Sequence, residues 1–271
     1  MKNTKEIIKK WYEKLAFPKE YDKEFYEALE NTEISPDLTL DGYDKKCEDG
    51  RKNLLAFLYL AEELSEKYRE RGIPDEILMD TLSDVVIWSN TWTKIKGTLH
   101  LAQLDWLEWH YRFRLFRLGR LQFFMRNIDE DVPEYGIKKG EQVLDMHIPE
   151  GGKLTPEECK NSLNLALEFF PKYFPNHKFV CFTCHSWLLD ETLKKYFPEN
   201  SNVVKFGDMF VRRHSQVRNA LLGYMFTWDT TIENLKDRVP TGETARKIKD
   251  AVLSGEEFHV TFGIIPLKER Y

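Results

Sequence analysis

The chain has 271 residues and a mass of 32.3 kDa, which is enough for one large domain or two ordinary ones. Its hydrophobic fraction of 42% and aromatic fraction of 14% exclude a disordered, collagen-like or low-complexity chain. Forty basic and 45 acidic residues give a formal net charge of −5, so no overall positive field would hold a phosphate backbone. A nucleic acid is therefore not an expected partner.

Cysteine content and hydropathy give the expected compartment. Four cysteines are too few for a disulfide scaffold, and residues 1–14 have the pattern of a charged helix rather than an apolar signal core. No run of about 18 uncharged apolar residues occurs, so no transmembrane helix is predicted. We expect a reduced, cytoplasmic protein with no membrane partner.

The first 111 residues predict helices and little else. Apolar residues recur at helical spacing in the longer segments, for example Leu54, Leu58 and Ala61, and Gly72 followed by Pro74 is a typical helix end. The predicted helices are Asn3–Leu15, Asp22–Leu29, Glu48–Arg71, Asp75–Ile95 and Leu99–Tyr111.

From Arg112 onward the pattern changes to strands alternating with helices. The predicted strands are Arg112–Phe124, Gln142–Pro149, Lys178–His185, Asn202–Phe210 and Phe258–Leu267, the first two forming a hairpin. The predicted helices are Pro156–Phe170, Leu188–Phe197, Gln216–Val239 and Glu243–Leu253. This order predicts an α+β protein, in which a mixed β-sheet carries helices on both faces.

A glycine-containing turn joins a strand to a well-specified helix start. It runs Pro149-Glu150-Gly151-Gly152-Lys153-Leu154, and Thr155 follows as N-cap with Glu158 as its capping-box partner. Backbone N–H groups of such a loop form an anion site suited to a pyrophosphate. The alternative is a plain strand-to-helix turn, because Glu157 and Glu158 already occupy the favourable end of the helix dipole.

Two histidines lie near the ends of two predicted strands. Alternation places Asp145 and His147 on one strand face, and Cys181, Thr183 and His185 on one face of the other strand. Strand ends of this kind bind ligands in open α/β sheets, and imidazole titrates near neutral pH. His147 and His185 are therefore candidates for a general base or for a substrate-orienting pair. The alternative is that both are hydrogen-bonded structural histidines.

Several other groups allow two interpretations each. Cys181-Phe182-Thr183-Cys184-His185 matches the c-type haem attachment pattern, but a strand would turn its two cysteines to opposite faces, so we reject haem. The phenol of Tyr196 is either a proton donor or a core residue. The arginines either bind a phosphorylated ligand or pair with the surplus carboxylates; they are Arg112, Arg114, Arg117, Arg120, Arg126, Arg212 and Arg213.

Three motifs resemble those of a bacterial acyltransferase-domain family. They are Phe116–Phe123, Asp145–Gly152 and Cys184–Leu189. That family pairs a helical N-acyltransferase N-terminal domain, here residues 1–111, with a GNAT-like C-terminal domain, here residues 112–271. The resemblance covers most of the chain.

The resemblance implies an acyl-CoA-dependent N-acyltransferase that needs no metal. Acetyl-CoA or another acyl-CoA would lie where the strands Gln142–Pro149 and Lys178–His185 part, and a small-molecule amine would be the acceptor. The loop departs from the usual GNAT pattern, because neither possible register places Gln or Arg at its start. The implied catalytic residues are His147, His185, Asp145 and Tyr196, and the implied cofactor-binding residues are Gly151, Gly152, Lys153, Leu154 and Arg120.

Two other functions stay open from the sequence. Asp145, His147 and His185 are one carboxylate and two imidazoles, which would suit a metal-dependent hydrolase. The imperfect glycine loop also suits a GNAT-derived binding module that has lost catalysis. These alternatives differ in the metal content and acyl-CoA binding that they predict.

Overall fold

The computed structural model describes residues 3–271 and shows two compact units, one ending at Leu118 and the other beginning at Gly119. The first unit is helical. Its elements are α1 (Thr4–Lys14), α2 (Asp22–Asn31), α3 (Gly50–Arg71), α4 (Asp75–Lys96), α5 (Leu104–Tyr111) and the short strand β1 (Leu115–Leu118).

Caps and an apolar core explain the long helices of this unit. Asp49 caps α3 by accepting hydrogen bonds from the N–H groups of Arg51 and Lys52, and Gly72 ends the helix at φ 69°. The helix α3 packs against α1 and α4 through buried side chains, among them Trp11, Leu54, Leu58, Tyr68 and Leu82. The helical interpretation of the first half is confirmed, except that α5 starts at Leu104 rather than Leu99.

The second unit contains a five-stranded mixed sheet with flanking helices. Its elements are β2 (Leu121–Asn127), β3 (Gln142–His147), α6 (Pro156–Tyr173), β4 (Cys181–Ser186), α7 (Asn202–Gly207), β5 (Val211–Val217), α8 (Leu221–Met225), α9 (Glu243–Leu253) and β6 (His259–Pro266). The strand order is β2-β3-β4-β6-β5, with β3 and β4 parallel and the other pairs antiparallel. The predicted hairpin of β2 and β3 and the predicted mixed sheet are confirmed.

The two faces of the sheet bury different side chains. On one face, Phe123 of β2 packs against Phe170 of α6 and Phe182 of β4, with ring centroids 6.4 and 5.7 Å apart. On the other face, Ile128, Val143, Cys181, Phe262 and Ile264 belong to one apolar cluster. Asp145 and His147 share this second face with Val143, because side chains alternate along β3.

The structure corrects four predicted elements. Arg112–Phe124 is not one strand, because Gly119 at φ 67° and Arg120 form a turn. Leu188–Phe197 is two short 3-10 helices on either side of Asp190, whose side chain caps the second.

The other two corrections lie further along the chain. Asn202–Phe210 begins with the helix α7, not a strand, because Ser201 caps it by accepting from the N–H of Val204. Gln216–Val239 is not a long helix but the end of β5, the short helix α8 and a 3-10 turn. Within residues 3–271, no helix combines the length and apolarity needed to cross a lipid bilayer.

Candidate active site

The parallel strands β3 and β4 pair over only a short stretch. Their register consists of Leu144 with Phe182 and Asp145 with Thr183. Each strand nevertheless continues beyond this point by pairing with its other neighbour. In β3, His147 pairs with Gln122 of β2, and in β4, Ser186 pairs with Thr261 of β6. The two strands therefore stop pairing with each other before either one ends, and His147 and His185 lie just beyond that point.

Asp145 is the centre of a buried polar group on the same sheet face. It is only 4% exposed, and the Thr183 hydroxyl donates to its Oδ1 at 2.6 Å. Its Oδ2 lies 3.4 Å from His147 Nε2 and 3.4 Å from Arg126 Nη1. Burial by itself raises the pKa of Asp145, but the hydrogen bond and charge of His147, with Thr183 and Arg126, lower it to about 2. The group is therefore a carboxylate at neutral pH.

His185 lies at the exposed end of β4 in a second ring cluster. Its imidazole stacks on Phe262 at a centroid distance of 4.4 Å, and the His214 ring lies 6.2 Å away. His214 Nε2 is 2.7 Å from Glu130 Oε2. Burial of the ring face lowers the pKa of His185, which favours the neutral imidazole.

The loop from β3 to α6 is held in shape by Arg120. Its Nη1 donates to the carbonyl oxygen of Pro149 at 2.9 Å, and its Nε donates to the carbonyl oxygen of Lys153 at 3.1 Å. Gly151 and Gly152 have φ angles of 94° and 70°, a region that favours glycine. Arg120 thus bridges the two ends of an exposed turn. Within this turn, two successive glycines have a left-handed backbone conformation.

The start of α6 follows the predicted capping box. Thr155 Oγ1 accepts from the N–H of Glu158, and Glu158 Oε2 accepts from the N–H of Thr155. Pro156 has no N–H to offer. The capping box thus occupies the N–H groups of Thr155 and Glu158 and makes no use of the loop amides before Thr155.

Tyr196 lies outside the Asp145 group in the contacts that the structure records. Its phenol donates a hydrogen bond to Glu256, and its ring packs 5.6 Å from that of Phe258. Burial, together with the Glu256 carboxylate, raises the pKa of Tyr196 to about 12. The phenol therefore keeps its proton at neutral pH.

Three of the arginines that the sequence offered as ligand-binding candidates form ion pairs with carboxylates of the protein. Arg112 pairs with Asp41 and Glu108, Arg212 pairs with Asp208, and Arg213 pairs with Glu130. Burial raises the pKa of Cys181 to about 12, and it also raises the pKa of Cys184, so both favour the neutral thiol.

The metal-dependent alternative lacks a ligand set. Both carboxylate oxygens of Asp145 already accept from neighbouring groups, and the Arg126 guanidinium lies beside Oδ2. Across residues 3–271, no three His, Cys, Asp or Glu side chains are grouped so that they could hold a metal ion. The site geometry therefore does not favour a metal-dependent hydrolase.

Some neighbours of these residues were not predicted from the sequence. Gln122 pairs with His147 across β2 and β3, His214 lies beside His185, and Glu256 binds Tyr196. All three contacts depend on long-range strand register or loop packing. The one available signal was Gln122, a polar residue between apolar ones in a motif of the family resemblance.

Three features of this chain are typical of GNAT-like proteins. They are the short pairing of β3 with β4, the glycine loop after β3 and the order of the strands in the sheet. A family profile described as a GNAT-like C-terminal domain matches residues 115–265, and one described as an N-acyltransferase N-terminal domain matches residues 6–113. The chain belongs to the family that combines these two domains, which confirms the resemblance. No curated protein sequence matches the chain.

Solved structures agree with this assignment. The chain is 26% identical to an acyltransferase in complex with decanoyl-CoA and teicoplanin, with a TM-score of 0.71, over 80% of this chain and 66% of that one. Another acyltransferase complex, with CoA and 10C-teicoplanin, is 25% identical at the same TM-score and coverage. The chain thus spans just under two thirds of the length of these structures.

A third structure shows the same fold over more of the chain. It is a mutant acyltransferase in complex with octanoyl-CoA, with a TM-score of 0.79 and 21% identity. The match covers 97% of this chain and 88% of that one. A helical region followed by a GNAT-like mixed sheet is therefore a fold that the two proteins share over 97% of this chain.

Proposed function

We propose that this protein is an acyl-CoA-dependent N-acyltransferase that acts on a small-molecule amine by direct transfer. The observation that carries the proposal is the end of β3–β4 pairing at Asp145 and Thr183, with His147 immediately beyond. Main-chain groups of strands that part can polarise a thioester carbonyl. The acyltransferase structures similar to this chain contain CoA, octanoyl-CoA or decanoyl-CoA, which supports the same class of acyl donor.

The loop beyond β3 suits the pyrophosphate of CoA. Gly151, Gly152, Lys153 and Leu154 supply backbone N–H groups in an exposed turn, and Arg120 fixes that turn through two carbonyl oxygens. Arg120 also places a positive charge beside the turn. We assign these five residues to the binding of the acyl-CoA.

His147 is the proposed general base. With the Nε2 proton directed to Asp145 Oδ2, its Nδ1 takes the proton that the amine loses as its nitrogen attacks the thioester carbonyl. Asp145 orients the ring and stabilises the imidazolium. The C–S bond then breaks, and the departing thiolate takes a proton, for which Tyr196 is the proposed acid once its phenol leaves the Glu256 carboxylate. His185, whose neutral form is favoured, orients the substrate.

A binding assay and a transfer assay test the proposal together. Decanoyl-CoA at about 100 times its Kd should stabilise the protein by about 2.7 kcal/mol, seen as a raised Tm. Release of CoA thiol from decanoyl-CoA should then depend on an added amine, with teicoplanin as the first acceptor tried and a panel of small amines after it.

Two variants separate catalysis from folding. His147→Ala should lower kcat/KM by about 100-fold or more with an unchanged Tm shift from decanoyl-CoA, because only the base is lost. His259→Ala is the matched control, since His259 lies on β6 and pairs with Asp190 instead. Absence of any Tm shift with acetyl-CoA, octanoyl-CoA and decanoyl-CoA would refute the proposed function.

A further inference from the structure

Gln122 of β2 is a buried polar residue whose side-chain Nε2 has no protein partner. The residue is only 1% exposed, and its Nε2 makes no hydrogen bond within the described chain. A buried amide N–H without an acceptor is destabilising, and most such groups in proteins have a partner. An apolar side chain of similar length would avoid this cost, so the carboxamide needs a reason to be there.

The position of Gln122 relative to His147 gives that reason. The two residues are directly opposite in the antiparallel β2–β3 register, as are Phe124 and Asp145. Opposed residues of an antiparallel pair share a sheet face, with Cβ atoms about 4.5–5.5 Å apart. The Gln122 amide therefore lies on the face of the proposed base.

The strand order also tells which substrate Gln122 faces. Because β3 lies between β2 and β4, Gln122 flanks His147 on the side away from the β3–β4 opening assigned to the thioester. The amine must approach His147 to lose its proton, so Gln122 is beside the acceptor rather than the acyl donor. The carboxylate of Asp145, two residue pairs along the ladder on the same face, disfavours an anionic group there.

We propose that Gln122 binds the acceptor, its Nε2 donating a hydrogen bond to an uncharged oxygen close to the amine that is acylated. This inference rests on the proposed function and narrows its acceptor to amines that carry a neutral hydrogen-bond-accepting oxygen. Gln122 acts in substrate positioning, and the proton transfer stays with His147.

The first test observes the amide directly and needs no turnover. The chain has four glutamines, so side-chain ¹⁵N labelling of glutamine gives four amide pairs, and the pair missing in Gln122→Met is that of Gln122. With CoA present, 2-methoxyethylamine should shift this pair, whereas n-butylamine, which has a methylene in place of the oxygen, should not. An unshifted Gln122 pair, or an equal shift with both amines, overturns the proposal.

The second test measures selectivity between the same two amines. The wild-type ratio of kcat/KM for 2-methoxyethylamine over n-butylamine should fall about fivefold in Gln122→Met, since one neutral hydrogen bond is lost. Gln142→Met is the matched control, because Gln142 lies at the other end of the β2–β3 pair and its carboxamide accepts from the N–H of Lys178. A ratio that is the same in wild type and Gln122→Met contradicts acceptor binding.

The outcomes distinguish this inference from the proposed function. Loss of the selectivity ratio together with an unchanged or raised Tm supports a ligand-binding amide, because the variant removes an unsatisfied polar group. A wild-type protein that binds decanoyl-CoA and acylates amines without this selectivity refutes only the role of Gln122. A wild-type protein that binds no acyl-CoA refutes the proposed function itself.

Discussion

The buried carboxylate of Asp145 links the chemistry of the site to the stability of the fold. Three donors converge on its two oxygens, from Thr183, His147 and Arg126. In the unfolded chain none of these donors is fixed, so the carboxyl group has its ordinary pKa of 3.8 there and a pKa of about 2 in the folded protein. The unfolded state therefore binds this proton at higher pH than the folded state does.

The sign of the linkage predicts acid sensitivity. Because the folded pKa is lowered, the carboxylate stabilises the fold fully above about pH 4 and loses that contribution as the pH falls towards 2. The difference in unfolding free energy between wild type and Asp145→Asn should therefore shrink by about 2 kcal/mol between pH 5 and pH 2. Urea denaturation across this range measures it.

An exposed aspartate provides the comparison for this experiment. Asp250 lies exposed on α9, so Asp250→Asn should follow the wild-type acid profile closely. If the difference in unfolding free energy between wild type and Asp145→Asn stays constant with pH, the buried donors do not hold the carboxylate charged.

Among the elements, the β3–α6 loop depends most on a single side chain. Arg120 bridges the carbonyl oxygens of Pro149 and Lys153 with two different nitrogens of one planar group. Lysine keeps the charge but carries one compact ammonium, which cannot reproduce that bridge. Arg120→Lys should therefore raise the Kd of decanoyl-CoA about tenfold, measured by calorimetric titration.

The charge and the bridge can be separated by two further variants. Lys153→Ala removes a charge from the loop but keeps the backbone carbonyl that Arg120 binds, so it should weaken binding less than Arg120→Lys does. Arg246→Lys on the exposed face of α9 should leave the Kd unchanged. Equal Kd values for wild type and Arg120→Lys would mean that the bridge does not shape the CoA loop.

Elements with strong local signals are the ones that could be predicted from the sequence. The Gly72 stop of α3, the Thr155 capping box of α6 and the polar turn between β2 and β3 are encoded within a few residues. The strand β5 has no such signal, because most of its residues are exposed and it lacks an alternating apolar face. In α7, Val203, Val204 and Phe206 have strand propensity, and the Ser201 cap outweighs it.

The candidate site follows the same rule. Alternation along a single strand was enough to place Asp145 and His147 on one face, where they are 3.4 Å apart. The position of Gln122 beside the same site requires the register between two strands, and the contact of His214 with His185 requires β5 and β4 to flank β6. Such contacts are fixed by tertiary structure and leave no periodic trace in the sequence.

At the scale of the whole molecule, the formal net charge of −5 opposes the approach of a ligand that carries several phosphates. Attraction must then come from groups close to the loop, chiefly Arg120 and the backbone N–H groups. Added salt screens the long-range repulsion, which speeds association, and it also weakens the short-range attraction to the loop, which slows it. The repulsion is screened more strongly, because the Debye length is about 10 Å at 0.1 M. The two effects of salt on the association rate therefore partly cancel.

The association rate of decanoyl-CoA should therefore vary less than about threefold between 50 and 300 mM NaCl, measured by stopped flow. A protein with an overall positive field would instead lose association rate steeply over this range. Arg120→Lys is the informative comparison, because it keeps the charge of the loop and should give the same shallow salt dependence despite its weaker binding. A tenfold fall in the wild-type rate would place an extended basic surface, rather than the β3–α6 loop, in control of CoA capture.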